Sequence, residues 1–530
     1  MSQSSKIYIF DTTLRDGQQS PGAGMSFENN IKYAHLANKL GIDILEAGFP
    51  AASKADFKIV ETIAHDMANI NSRMIVSALC QMREEQVDIT IKSLEASAKI
   101  NRGRMHIYLP IDPELMIASL GSMAQQKELI LTKLNSYINK ATKSNLEVEF
   151  SLEGYSRQKE NFNFATEAIA AAVSGGATII NLPDTIGGAN RYEGENYFLN
   201  FIKKHKQIIT SQFPNVDLKW SIHCHNDFGL ALDNSLTAVF EGIVNQVEGC
   251  INGVGERAGN VALEQVIMNI RHFGNLEHIK HKVHTDINIG FLQEISDFIA
   301  QHMLSRQPHS PIVGANAASH TSGGHINAIL KNPLAYQPFD PKDIGGKISF
   351  VFGPLSGSNH AQEVINQYGY ICTDAEKTSI AQFIKDYYVD RRKGITNDEL
   401  MHAYFMYRAP IIVEKLAYAK TENNHSKIEI FGKFFDSQNI VIEYNGSGSA
   451  ISALNNKILE FLPNIEVLSY SSKSTNESIN ASSASEIILF DANNNINYKG
   501  NAEDRDIEIS AIKSYIDAAN KVYINREYRN

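Results

Sequence analysis

Over residues 1–285, short apolar runs alternate with helix-like stretches. The runs are IYIFD (7–11), DILEAGFP (43–50), MIVSALC (74–80), MHIYLP (105–110), LEVEFSLE (146–153), TIINLPD (178–184), LKWSIHCHND (218–227) and VNQVEGCINGVG (244–255). Each is rich in β-branched or aromatic residues and apolar almost throughout, the pattern of strands covered on both faces. The stretches between them, such as SFENNIKYAHLANKLG and NFATEAIAAAVSGG, read as helices, some ending in a glycine stop. Eight strand–helix units predict an α/β fold, a (β/α)8 TIM barrel spanning 1–285. A doubly wound open sheet is the alternative, and the regular count of eight favours the barrel.

Residues 286–400 break this rhythm. A helix-like segment, GFLQEISDFIAQHML, is followed by the Pro/Gly/His-rich stretch 306–333, expected as a functional loop too glycine-rich for a core element, and then by more helix. This part is expected to form helical linker subdomains. Residues 401–530 change character again. KIEIFGKFF and NIVIEYNG predict strands and GSAISALNNKILEFL a helix; EIILFD, NINYKG and EISAIKSYIDAANKVY repeat that order. The reading is a pseudo-symmetric α+β domain of two strand–strand–helix units, with SYSSKSTNESINASSAS between them as a flexible Ser/Asn-rich loop.

Composition narrows the function classes. Of 530 residues, 43% are apolar and 20% charged, which excludes global disorder. With 49 basic and 59 acidic residues the formal net charge is −10, so neither nucleic acid nor an anionic membrane is an expected partner. No apolar run reaches the roughly 18–20 residues that span a bilayer, and MSQSSKIYIF does not read as a signal peptide. Cys80, Cys224, Cys250 and Cys372 are scattered, without a CxxC. A cytoplasmic protein with reduced thiols is expected.

In such a barrel the catalytic groups sit at the C-terminal ends of strands. Arg15 and Asp16 follow strand one, Glu46 ends strand two, Glu153 ends strand five, and Asp184 and Thr185 end strand six. On strand seven, His223 and His225 are two residues apart and point to one side. Glu256 and Asn260 lie on the glycine loop after strand eight. Taken alone, Arg15 and Asp16 read sooner as a surface pair, while His223 and His225 read equally well as core histidines or as metal ligands. Together, an Asp, two His and an Asn at converging strand ends form a mixed N/O site suited to Mn, Zn, Mg or Co rather than a sulfur site. The loop NGVGERAG has GxGxxxG spacing in the last βα unit, which argues against a dinucleotide site.

DTTLRDGQQSPG, EAGFP, NLPDT, HCHND, EGCINGVGERAGN and HTSGGH together resemble the 2-isopropylmalate synthase family, among metal-dependent Claisen-condensing barrels that include homocitrate and citramalate synthases. The resemblance runs along nearly the whole chain. It implies a divalent metal on Asp16, His223, His225 and Asn260, with a monovalent cation such as K as a further cofactor. It implies that Arg15 contacts the keto oxygen of a 2-oxo acid, that Glu46 steadies Arg15, and that Thr185 binds the substrate carboxylate. Leu79, His106, Tyr108, Ser151 and Pro183 would line the side-chain pocket. Glu153 and Glu256 match active-site carboxylates, and His325 and Tyr336 match linker residues that reach a neighbouring subunit's barrel. The implied partners are acetyl-CoA, a 2-oxo acid, a leucine effector and further copies of the chain in a homodimer or higher homo-oligomer. The implied reaction joins acetyl-CoA to 3-methyl-2-oxobutanoate and hydrolyses the thioester, in leucine biosynthesis.

Three alternatives stay open at this stage: a citramalate or homocitrate synthase, a C–C lyase, and a non-catalytic regulatory paralogue. The chain also departs from the family pattern. It has His325-Ile326-Asn327 where many members have HQD, and NGSGSAISA (445–453) where the regulatory loop usually reads GNGPVDA.

Overall fold

The computed structural model describes residues 4–391, 393–420, 425–445, 449–475 and 482–530. It divides into two compact units. Unit one holds 1–318 and 339–348, and unit two holds 319–338 and 349–530.

Unit one is a closed, all-parallel barrel of eight strands. They are β1 (Tyr8–Asp11), β2 (Ile44–Glu46), β3 (Ile75–Gln81), β4 (Gly103–Pro110), β5 (Glu147–Glu153), β6 (Ile179–Asp184), β7 (Lys219–Cys224) and β8 (Gln246–Gly249). Every strand falls within its predicted run or at most two residues beyond it. β1 pairs with β8 as well as β2, so no edge is left open. Helices between the strands bury Tyr33, Ala37, Val60, Ile63, Leu134, Ile138, Ile202 and Val266 against the outer barrel face. A short parallel pair missed in the sequence, Ser5–Lys6 with Val283–His284, adds to the unit. All four cysteines are buried and free.

Unit two contains the rest of the linker and the C-terminal domain. Here three expectations are corrected. The stretch 306–333 is not all loop, because Gly323–Lys331 is a helix with Ile326 and Ile329 fully buried three residues apart. Its glycines sit in the first turn, where backbone N–H groups lack helical partners in any case. Each half of the C-terminal domain has three strands, not two. β9 (Ile411–Lys420), β10 (His425–Phe434) and β11 (Ser437–Asn445) form one antiparallel sheet, followed by the helix Ala450–Leu459. β12 (Ile465–Ser474), β13 (Ser483–Asp491) and β14 (Ile496–Asp504) form the second, followed by the helix Ile507–Tyr528. The expected flexible Ser/Asn loop is therefore largely the facing arms of β12 and β13; its residues 476–481, and 446–448 of the departing regulatory loop, lie outside the described residues.

The two halves share one apolar core around Ile428, Ile430, Leu454, Ile487, Leu489 and Tyr515. Gly500 on β14 permits the closest approach, since a Cβ there would stand 2.0 Å from the Ser514 carbonyl oxygen of the last helix. Among the described residues no helix is long and apolar enough to cross a membrane.

Candidate active site

A cavity of about 530 Å³ lies at the C-terminal ends of the barrel strands. Of the expected residues, Arg15, Asp16, Leu79, His106, Tyr108, Ser151, Glu153, Pro183, Thr185, His223, His225 and Glu256 line it, with Gln19, Asn181, Glu248 and Arg257 beside them. Strand alternation explains the set. Side chains two apart share a face, so His106 and Tyr108 of β4, Ser151 and Glu153 of β5, and Asn181 and Pro183 of β6 all turn inward. Glu46 and Asn260 are fully buried behind the lining.

The metal-competent group is compact. Asp16 Oδ2 lies 3.3 Å from His223 Nε2 and 3.9 Å from His225 Nε2, and the two Nε2 atoms are 3.3 Å apart. Bonds of about 2.1 Å to one ion place neighbouring donors roughly 3.0–3.4 Å apart, close to this triangle. Asp16 Oδ2 and Asn260 Oδ1 are buried without a hydrogen-bond partner. Buried oxygens left unpaired beside two imidazoles are costly unless something binds there. Asn260 pairs with His225 in an isolated backbone bridge, and its Nδ2 donates to the Val254 carbonyl at 3.1 Å, which fixes the amide. The loop can fold this tightly because Gly259 has φ +87°; a Cβ there would meet the Gly253 carbonyl oxygen at 2.0 Å.

Electrostatics agree with the geometry. Burial would raise the Asp16 carboxyl, but Arg15 and the two histidines overcome it and hold it well below the usual carboxylate range. Burial opposes charge on His223 too, yet Asp16 and Glu248 draw a proton there and push its pKa up to about 9. Burial and the adjacent His223 pull His225 down to about 3. A site that draws positive charge this strongly suits a divalent cation.

Beside it runs a second network. Arg15 Nε donates to Glu46 Oε2 at 2.5 Å, Glu46 Oε1 meets His106 Nδ1 at 2.7 Å, and His106 Nε2 meets Ser151 Oγ at 2.6 Å. Asn181 Nδ2 donates to the same hydroxyl at 2.8 Å. Burial raises Glu46, but Arg15 and His106 outweigh it and lower its pKa, so the carboxylate stays charged and locks the guanidinium toward the cavity. Burial raises Glu153; Arg15 pulls it down and Glu256 adds to the rise, leaving the carboxyl above its ordinary value. Thr185 Oγ1 accepts from the Gly154 N–H at 2.8 Å, linking the loops after β5 and β6. Arg257 is held by Asp227 at 2.9 and 3.0 Å and donates to the Thr185 carbonyl at 2.7 Å.

His325 and Tyr336 belong to unit two. Their rings stack there, with centroids 3.9 Å apart and planes 19° apart.

Sequence reading missed Asn181, Arg257, Gln19 and Glu248. Two of these sit inside strands whose runs read as apolar. The available signal was alternation: a polar residue at every second position of a strand covered by helices outside must point into the barrel.

The HMGL-like family profile matches residues 6–299, and the homocitrate synthase post-HMGL domain-like profile matches 312–393. The chain is 32% identical over 539 residues to the 2-isopropylmalate synthase of Aquifex aeolicus, covering 99% of this chain and 97% of that one. It is 32% identical over 530 residues to that of Staphylococcus saprophyticus, covering 98% of each. It is 34% identical over 398 residues to that of Pyrococcus abyssi, covering 74% and 76%.

Proposed function

The chain belongs to the HMGL-like family, in its 2-isopropylmalate synthase-like branch, and from that premise we propose that it condenses acetyl-CoA with 3-methyl-2-oxobutanoate and releases 2-isopropylmalate and CoA. It is a Claisen-condensing acyltransferase of the 2-isopropylmalate and homocitrate synthase family. The choice of oxo acid is carried by the cavity. Leu79 and Pro183 offer apolar walls for an isopropyl group, and the one guanidinium besides Arg15, that of Arg257, is already engaged by Asp227. A distal carboxylate, as homocitrate synthase would need to bind, finds no free cation among the lining residues.

Asp16, His223, His225 and Asn260 would hold a divalent ion, which when bound supplies Lewis-acid polarisation of the keto oxygen. Arg15 directs its donors at that oxygen and offsets the charge it gains as the new C–C bond forms. Thr185 takes the substrate carboxylate. A base removes a methyl proton from acetyl-CoA, and the carbanion carbon attacks the keto carbon. His325 with Glu153 or Glu256 fills that role, and Tyr336 donates to the thioester oxygen, both linker residues being delivered by a second copy of the chain. Water then cleaves the thioester, so CoA leaves as the free thiol. Leucine binding to the C-terminal domain completes the reading.

The test is CoA thiol release from acetyl-CoA with a panel of 2-oxo acids, with and without divalent metal and leucine. The expected result is metal-dependent release that is fastest with 3-methyl-2-oxobutanoate. Release with none of the acids overturns the enzyme reading. Preference for pyruvate or 2-oxoglutarate overturns the substrate. Apolar pockets separate neighbours one methylene apart by only about 10–200-fold, so the ranking must come from kcat/KM. Near-normal turnover in a folded His325→Ala variant removes His325 from the mechanism.

A further inference from the structure

Below Asp16, His223 and His225 the barrel interior is not hydrocarbon. Arg104 of β4, Glu149 of β5, Ser221 of β7, and Gln246 and Glu248 of β8 are each at most 1% exposed. They form one chain of hydrogen bonds. Arg104 Nη1 donates to Glu149 Oε2 at 2.7 Å and Gln246 Oε1 at 2.9 Å. Gln246 Nε2 donates to Glu149 Oε1 at 2.7 Å and Ser221 Oγ at 2.9 Å. Ser221 Oγ in turn donates to Glu248 Oε1 at 3.1 Å.

The chain has one loose end. Glu248 Oε2 and His223 Nδ1 are both buried without a hydrogen-bond partner, and they face each other at 3.5 Å. Barrels of this class usually fill these layers with branched apolar side chains. Burying charged groups instead costs stability, even when they are well paired. A string of five polar residues ending on one imidazole is an expensive way to pack a core. It is an effective way to fix a carboxylate.

We propose that Glu248 is the positioning residue for His223. Its Oε2 takes the Nδ1–H, which leaves the Nε2 lone pair directed at Asp16 and His225, and the Ser221–Gln246–Glu149–Arg104 chain holds the carboxylate in place. The other ring nitrogen of a metal-binding histidine commonly meets such a carboxylate, which sets the tautomer and the ring orientation. The location fits that role: His223 Nε2 is 3.3 Å from both Asp16 Oδ2 and His225 Nε2. Glu248 lies on β8 and His223 on β7, neighbouring strands in direct register at these two residues.

This inference rests on the metal reading of the site, and the test separates the two. Mn²⁺ affinity is measured by isothermal titration on metal-free protein, beside thermal unfolding without metal. Glu248→Ala should weaken Mn²⁺ binding by about 10–100-fold. Glu248→Gln keeps a carbonyl acceptor of the same shape and should recover most of that loss. Ser221→Ala removes one hydrogen bond to the carboxylate and should cost about 5-fold. Wild-type affinity in a folded Glu248→Ala variant overturns the proposal, as does a Glu248→Gln variant as weak as the alanine. If Glu248→Ala does not fold, unchanged affinity in Ser221→Ala overturns it. Wild-type protein that binds no Mn²⁺ overturns the metal reading itself.

Discussion

In the C-terminal domain Asp491 is fully buried, and its two oxygens accept from Arg526 Nε and Nη2, the Asn493 N–H and Asn494 Nδ2 at 2.6–3.1 Å. In the barrel Asp16 is 3% exposed, and its Oδ2 accepts no hydrogen bond. The same residue type at the same depth is satisfied in one place and left open in the other. Apart from Arg408 Nε and the Tyr498 hydroxyl, the described buried side chains of the C-terminal domain follow Asp491, whereas the barrel mouth collects Asp16, His223, His225, Glu248 and Asn260. A satisfied buried charge ties structure together. An unsatisfied cluster lowers stability and survives where a ligand completes it.

The largest effect should come from breaking the open site. Asp16→Asn keeps the shape and removes the charge that gathers the two imidazoles. Metal affinity should collapse, and kcat/KM should fall about 10³-fold, since Lewis-acid stabilisation is worth several kcal/mol. Without metal, the variant should lose some stability near neutral pH, because Arg15 and the two histidines favour the charged carboxylate, but the collapse of metal affinity should dominate. Tight metal binding in Asp16→Asn would erase the distinction between the two aspartates.

The opposite signature belongs to the C-terminal core. Ile487 is fully buried there, on the central strand of the second sheet. Ile487→Ala should cost about 3 kcal/mol of that domain's stability. Mn²⁺ affinity should not change. A loss of metal affinity without a loss of stability would show that the two regions are not the separate kinds of interior described above.

The contrast also explains what could be read in the chain. Barrel strands covered on both faces carry dense β-branched runs, and their polar residues stand out where the runs stop. That made Arg15, Asp16, His223 and His225 visible. Glu149, Gln246 and Glu248 were hidden because each occupies an alternate position inside a run that looks apolar as a whole, and Arg104 because its strand begins two residues before the run 105–110. In the C-terminal domain the difficulty was reversed. β12 is mostly exposed and ends in SSKS, without a β-branched or aromatic residue. Its order comes from the antiparallel ladder with β13 and from pairs such as Ser472 and Ser483, whose hydroxyls are 2.5 Å apart. Such pairing acts between one strand and the next, and the residue pattern within β12 alone does not announce it. Helix Gly323–Lys331 escaped for a third reason: its two glycines read as loop although they occupy only the first turn.

The smallest expected effect tests the satisfied aspartate. Asp491 closes β13, and Arg526 lies near the end of the last helix, so their pair pins that helix to the β13–β14 hairpin. Burial raises the Asp491 carboxyl, but the Arg526 guanidinium and the Asn493 N–H outweigh it and lower its pKa. A carboxylate lowered in the folded state contributes its full stability above the unfolded value of about 3.9. The contribution fades as pH falls below that value and is gone once pH has passed through the lowered folded pKa. Asp491→Asn should therefore cost about 2 kcal/mol at neutral pH, the scale of hydrogen bonds to a charged group. The gap between wild type and variant should narrow as the solution is acidified below about pH 4. Urea unfolding of the C-terminal domain across that range measures it. A gap that is constant with pH would mean that shape, not charge, holds the helix, and Asp491 would then be as idle electrostatically as Asp16 is unsatisfied.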